Sequence, residues 1–69
     1  MITQVYVKRR EHKLRQEDVA KFLGINKQTY YLKERGKSVF TIPEAKLLAR
    51  LYSCTLDELF GEGGGKNVS

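Results

Sequence analysis

Residues 16–36, QEDVAKFLGINKQTYYLKERG, decide the fold, because they read as two short helices joined by one tight turn. The first runs from about Gln16 to Leu23 and turns Val19, Ala20 and Leu23 inward. Ala20 is small enough to let two helices approach closely, and Gly24 lets the chain reverse at positive φ. Ile25 plugs the space between them, and Asn26 can cap the second helix through its side-chain oxygen. That helix runs from about Lys27 to Arg35 and ends at Gly36, a residue suited to a left-handed position. It opens with Lys27, Gln28 and Thr29, polar side chains able to reach base edges and phosphates.

Charge is segregated onto the same half. Residues 1–40 carry ten Lys and Arg against four acids, whereas residues 41–69 carry three against four. A basic half built around a two-helix unit with a polar second helix is the layout of a helix-turn-helix DNA reader, whose second helix enters the major groove.

The flanks extend the helical pattern. Thr3 can cap a first helix running to about His12, with Ile2, Val5, Tyr6 and Arg9 near one face. Lys13 and Leu14 make a short connection, with Leu14 packing inward. After the loop of residues 36–40, from which Val39 or Phe40 returns to the core, Thr41-Ile42-Pro43-Glu44 has the form of a capping box. It opens a fourth helix to about Tyr52, with Ala45, Leu48, Ala49 and either Leu51 or Tyr52 inward. Thr55-Leu56-Asp57-Glu58 repeats the device and opens a short fifth helix closed by Leu59, Phe60 and Gly61. The expectation is an all-α domain of five helices over residues 1–61, followed by a flexible glycine-rich tail, residues 62–69.

Size and composition remove other classes. A chain of 69 residues leaves little room for an enzyme cleft. No serine or cysteine has a histidine in a meaningful context, and GEGGG lacks the Lys-Ser/Thr and preceding strand of a phosphate loop. A lone histidine, His12, cannot build a metal site and reads as a surface residue at a helix end. Cys54 reads as a small core hydrophobe in a reducing compartment. No apolar run approaches the ~20 residues that span a bilayer and no signal-peptide pattern opens the chain, so a cytoplasmic location is expected. Neither an enzyme nor a cofactor or metal is expected.

Residues from about Val5 to Phe60 resemble the Cro and lambda-repressor-like helix-turn-helix family, also called the xenobiotic-response-element family. The carriers are Gln16 with Val19-Ala20, then Leu23-Gly24-Ile25, then Glu34-Arg35-Gly36-Lys37, and finally Leu56-Asp57-Glu58-Leu59-Phe60. The resemblance implies a small phage or prokaryotic regulator of the Cro type that binds operator DNA, usually as a dimer, to repress or regulate transcription. It implies a phosphate contact for Gln16 and base reading by Lys27 and Gln28, and it pairs Arg9 with Glu34 in a structural ion pair. Chemistry agrees at the reading positions, since Gln pairs bidentately with adenine and Lys prefers guanine O6 and N7. Asn26, Thr29, Arg35 and Lys37 are further expected phosphate contacts, and Thr29 can instead touch a thymine methyl.

Departures from the family pattern add expectations of their own. Arg15 stands where the family commonly has Ser or Thr as N-cap, so the second helix should start less well capped while Arg15 gains a phosphate contact. Lys33 takes a position that is usually apolar. Either it buries its stem and keeps its head in water, or the third helix rotates and Tyr30 fills the gap. Leu32 then lies on the DNA side, against a thymine methyl, and Tyr31 either follows the DNA or covers the helix surface. Without a second domain, dimer contacts are expected from Tyr52, Leu56 and Phe60, with Tyr52 and Phe60 read as either core or dimer-contact residues. The rival reading is a protein-interaction module, such as an antirepressor or antitoxin-like partner, suggested by Phe22, Tyr31 and Leu32 on outer faces.

Overall fold

Most helix boundaries fall where a side chain or a backbone reversal can satisfy the orphan amides and carbonyls of a helix end. The computed structural model describes residues 3–61. In chain order the elements are α1 (Thr3–Glu11), α2 (Gln16–Leu23), α3 (Lys27–Glu34), α4 (Ile42–Leu51) and α5 (Leu56–Phe60). The architecture is all-α, as expected. The placement of Ile2 and the expected tail, residues 62–69, lie outside the described residues.

The N-terminal caps form as their chemistry dictates. Asn26 Oδ1 accepts the Thr29 amide at 2.7 Å and so opens α3. At α4 the capping box closes in both directions: Thr41 Oγ1 accepts the Glu44 amide at 3.2 Å, and Glu44 Oε1 accepts the Thr41 amide at 2.8 Å. Thr55 Oγ1 accepts the Glu58 amide at 3.0 Å at the start of α5. The start of α2 lacks a side-chain cap on its first amides, as expected with Arg15 at the N-cap, but one half of a capping box still forms. An arginine side chain cannot accept a hydrogen bond, but the Arg15 amide donates to Asp18 Oδ2 at 2.8 Å. Asp18 thus supplies the reciprocal half of a capping box, and Glu17 and Asp18 in the first turn complement the helix dipole.

The C-termini share one device. After α1, α2, α3 and α4 the chain turns through a left-handed residue: Lys13 (φ 56°), Gly24 (φ 76°), Gly36 (φ 81°) and Ser53 (φ 51°). The next residue donates back to the carbonyl five positions earlier, as in Ile25 to Ala20 at 3.0 Å and Cys54 to Ala49 at 3.0 Å. Leu14 to Arg9 at 3.1 Å and Lys37 to Leu32 at 2.9 Å complete the set of Schellman closures. The two glycines announce their turns in the sequence. Lys13 and Ser53 do not, because only the surrounding packing holds an L-residue there.

Inside, Val5, Val19, Ala20, Tyr30, Phe40, Ala45, Leu48, Tyr52, Leu59 and Phe60 form one core, with Leu14, Leu23, Ile25, Ala49, Leu51 and Cys54 packed against it. Of the two candidates in the loop, Phe40 is the one that turns in; Val39 stays 47% exposed. Phe40 lies between Tyr30 and Phe60, with ring centroids 6.1 and 5.9 Å away. This aromatic stack joins α3 to α5 through the loop. Tyr52 and Phe60 are only 3% and 4% exposed, so of the two roles open to them they take the core one, and the dimer contact expected of them is corrected. Their area is already spent inside one chain, and of the three proposed residues only Leu56 reaches the surface. Half-buried Cys54 behaves as a packing residue: burial, with the nearby Glu58 charge, pushes its thiol up and away from the reactive thiolate.

Candidate nucleic-acid interface

One face of α3 is locked and the opposite face is free. Tyr30, Lys33 and Glu34 are buried, whereas Lys27, Gln28, Tyr31 and Arg35 are exposed. At 3.6 residues per turn the four exposed positions fall within ~100° of arc, a single polar and aromatic stripe. Thr29 and half-buried Leu32 flank it. Arg35 folds back over Tyr31, its guanidinium carbon 5.6 Å from the ring centroid, so these two side chains act as one unit.

The locking is polar as well as apolar. Glu34 stands at the centre of a buried cluster. Arg9 Nε donates to its Oε2 at 2.9 Å and Arg9 Nη2 to its Oε1 at 3.1 Å, a bidentate pair between α1 and α3. The Tyr30 hydroxyl donates to Oε2 at 2.6 Å, and Gln16 Nε2 donates to Oε1 at 3.2 Å. Burial alone would raise the Glu34 carboxyl, but the Arg9, Tyr30 and Gln16 donors outweigh it and hold the group below its ordinary value. Burial, reinforced by the neighbouring carboxylate, pushes the Tyr30 hydroxyl far above its usual range, so it stays a donor. Arg9 also donates from Nη1 to the Leu14 carbonyl at 2.9 Å, tying down the α1–α2 connection.

A second pair fixes the other flank of α3. Lys33 Nζ and Glu44 Oε1 are 2.5 Å apart, with side chains only 11% and 12% exposed. Lys33 therefore neither sends its head to water nor gives way to a rotated helix; it finds a buried carboxylate on α4. Desolvation pushes the Glu44 carboxyl up, and the Lys33 ammonium with the Thr41 amide pulls it below normal. The sequence carries part of this signal: a lysine at a core position needs a buried acid, and Glu44 by its spacing from Thr41 announces only a cap.

The expected phosphate contacts fare differently from one another. Asn26 is exposed at the head of α3; its carbonyl oxygen is committed to the cap, which leaves its NH2 facing outward for an anion. Arg35 and Lys37 are exposed beyond the helix end. Gln16 is half-buried and uses one amide hydrogen on Glu34, leaving the other for an external acceptor. Arg15 is well exposed, but its guanidinium already meets Glu17 at 3.1 Å and Asp18 at 3.3 Å. A phosphate there must compete with two carboxylates. Phe22 is 45% exposed on the outer side of α2, and His12 lies on the surface after α1.

Among the described residues no group of His, Cys, Asp and Glu could hold a metal ion, and no helix is long and apolar enough to cross a membrane. No curated protein and no solved structure matches the chain significantly. A family model does: the Helix-turn-helix model of the Cro/C1 type matches residues 5–59, the span from the first core residue of α1 to the last turn of α5. A matched helical pair with an anchored inner face and a polar outer face is the working part of a DNA-binding regulator. This chain belongs to the Cro/C1-type helix-turn-helix family.

Proposed function

We propose that the chain is a sequence-specific transcriptional regulator of the Cro type, without catalytic activity of its own, that sets α3 into the major groove of an operator. The observation that carries this reading is the exposed stripe Lys27, Gln28, Tyr31 and Arg35 on a helix fixed from behind by two ion pairs. A reading helix must hold its side chains still relative to the base edges, and Arg9–Glu34 and Lys33–Glu44 supply that stiffness. In this reading Gln28 pairs with adenine and Lys27 with guanine, Tyr31 and Leu32 touch neighbouring bases, and Gln16, Asn26, Thr29, Arg35 and Lys37 hold phosphates. Arg15 joins them only by giving up an acid partner. Two copies on the operator place the two α3 helices about one helical turn apart, ~34 Å or ~10 bp.

Selection of bound duplexes from a random pool at physiological salt tests the reading. The expected result is a near-palindromic motif, with Gln28→Ala losing preference at one base pair at a cost of ~1–3 kcal/mol. Retention of DNA with no motif points to non-specific coating. Failure to retain DNA moves the weight to a protein partner, for which exposed Phe22 on α2 is the candidate contact.

A further inference from the structure

The turn between α1 and α2 carries a second cationic feature that the reading helix does not use. An open groove there is lined by Arg9, Arg10, Lys13, Leu14 and Arg15. Its charges are not equivalent. Arg9 is bound to Glu34, and Arg15 to Glu17 and Asp18. Glu11, the remaining acid on the two flanking helices, meets Lys8 at 3.9 Å. Among the described residues Arg10 meets no carboxylate; it donates to the neutral Tyr6 hydroxyl at 3.1 Å and lies over the Tyr6 ring. Lys13 has no carboxylate partner among the described residues, and both are exposed. The uncompensated charge of the groove therefore belongs to Arg10 and Lys13.

Lys13 also sits at φ 56°, where two of the three equivalent turns downstream use glycine. An L-residue held there costs conformational energy that glycine would not, so the chain keeps a charged side chain at a strained place. Arg15, on the groove wall, directly precedes Gln16, whose remaining amide hydrogen is assigned above to the operator backbone, and Gln16 shares Glu34 with groove-lining Arg9.

We propose that Arg10 and Lys13 form a phosphate clamp on the DNA backbone flanking the operator contact of α3. The inference rests on the operator reading of the preceding subsection and adds two contacts to it. The clamp is indifferent to sequence, because phosphates are the same at every step. It adds affinity and salt dependence and leaves base preference alone.

Salt titration of binding tests it, using the full chain and a duplex carrying the selected motif. Each lost phosphate contact lowers the slope of log K against log salt by about 0.9. Arg10→Gln with Lys13→Gln should flatten the slope by nearly two and keep the selected motif. Lys13→Gly separates the clamp from a structural role. It relieves the strained turn and should raise the melting temperature by a few degrees, ~4–8 °C per kcal/mol gained. It should at the same time bind the duplex several-fold more weakly at low salt. A stabilised Lys13→Gly with undiminished affinity, or an unchanged slope in the double variant, overturns the clamp while wild-type binding keeps the operator reading. Absence of binding by the wild type overturns both.

Discussion

Lys33 on α3 and Glu44 on α4 share a buried contact of 2.5 Å, and the same carboxylate oxygen takes the Thr41 amide at 2.8 Å. One oxygen thus caps α4 and anchors α3. The start of α4 and the setting of the exposed face of α3 are coupled through a single atom. Lys33→Met leaves Glu44 buried with the amide alone and should cost about 2–3 kcal/mol, toward the low end for broken buried pairs because the site is near the surface. Adding Glu44→Gln retains the cap, since glutamine serves in a capping box, and should recover most of the loss. Urea denaturation of the two singles and the double gives the coupling directly; additive losses would remove the pair from the account.

Glu34 makes the fold acid-sensitive with a definite sign. Its carboxyl, like that of Glu44, titrates below its ordinary value in the folded chain. The unfolded chain therefore binds protons first as pH falls. The stabilisation is complete above about pH 5 and is lost below the ordinary glutamate value of about 4.3. Tyr30→Phe removes one donor from Glu34 and should cost about 1–3 kcal/mol at neutral pH. Its acid transition should begin at higher pH than that of the wild type, read from urea midpoints across pH 3–7.

The turn after α4 stores strain with no charge to explain it. Ser53 at φ 51° occupies the place that Gly24 and Gly36 hold after α2 and α3. Ser53→Gly should stabilise the chain by about 1 kcal/mol, the balance of a relieved left-handed residue against a more flexible unfolded chain. A raised denaturation midpoint at constant slope is the expected result, and an unchanged or lowered midpoint would refute it.

Asn26 separates stability from DNA contact. Asn26→Asp keeps the oxygen that receives the Thr29 amide and places a negative charge at a helix N-terminus, so stability should hold or rise by a few tenths of a kcal/mol. In the operator reading proposed above, the same charge meets a phosphate where an NH2 donor stood. DNA affinity should fall at least tenfold, measured by fluorescence anisotropy beside a melting curve.

The parts legible in the residues are those whose causes act within about five positions. Gly24 and Gly36 mark left-handed turns because they lack a Cβ. Asn26, Thr41 and Thr55 mark helix starts because a short polar side chain reaches only the next turn. The alternation that buries Tyr30 and exposes Lys27, Gln28 and Tyr31 follows from the helical period. The Arg9–Glu34 pair crosses 25 positions and was available only through family resemblance.

What the tertiary structure alone decided has the opposite character. Lys33 and Glu44 lie 11 positions apart and meet because the loop of residues 36–40 turns Phe40 into the core and brings α4 back against α3. Tyr52 and Phe60 could serve the core or a dimer contact on local pattern alone, and packing within one chain settles them in the core. Lys13 and Ser53 reverse the chain because the packing of the next helix outweighs their local preference. Local chemistry determined where most helices begin and which side chains α3 leaves exposed. Long-range packing determined which distant charges are cancelled, as at Arg9 and Lys33, and left Arg10 and Lys13 without a carboxylate among the described residues, because the partner of a charge far away in sequence is set by the path of the chain between them.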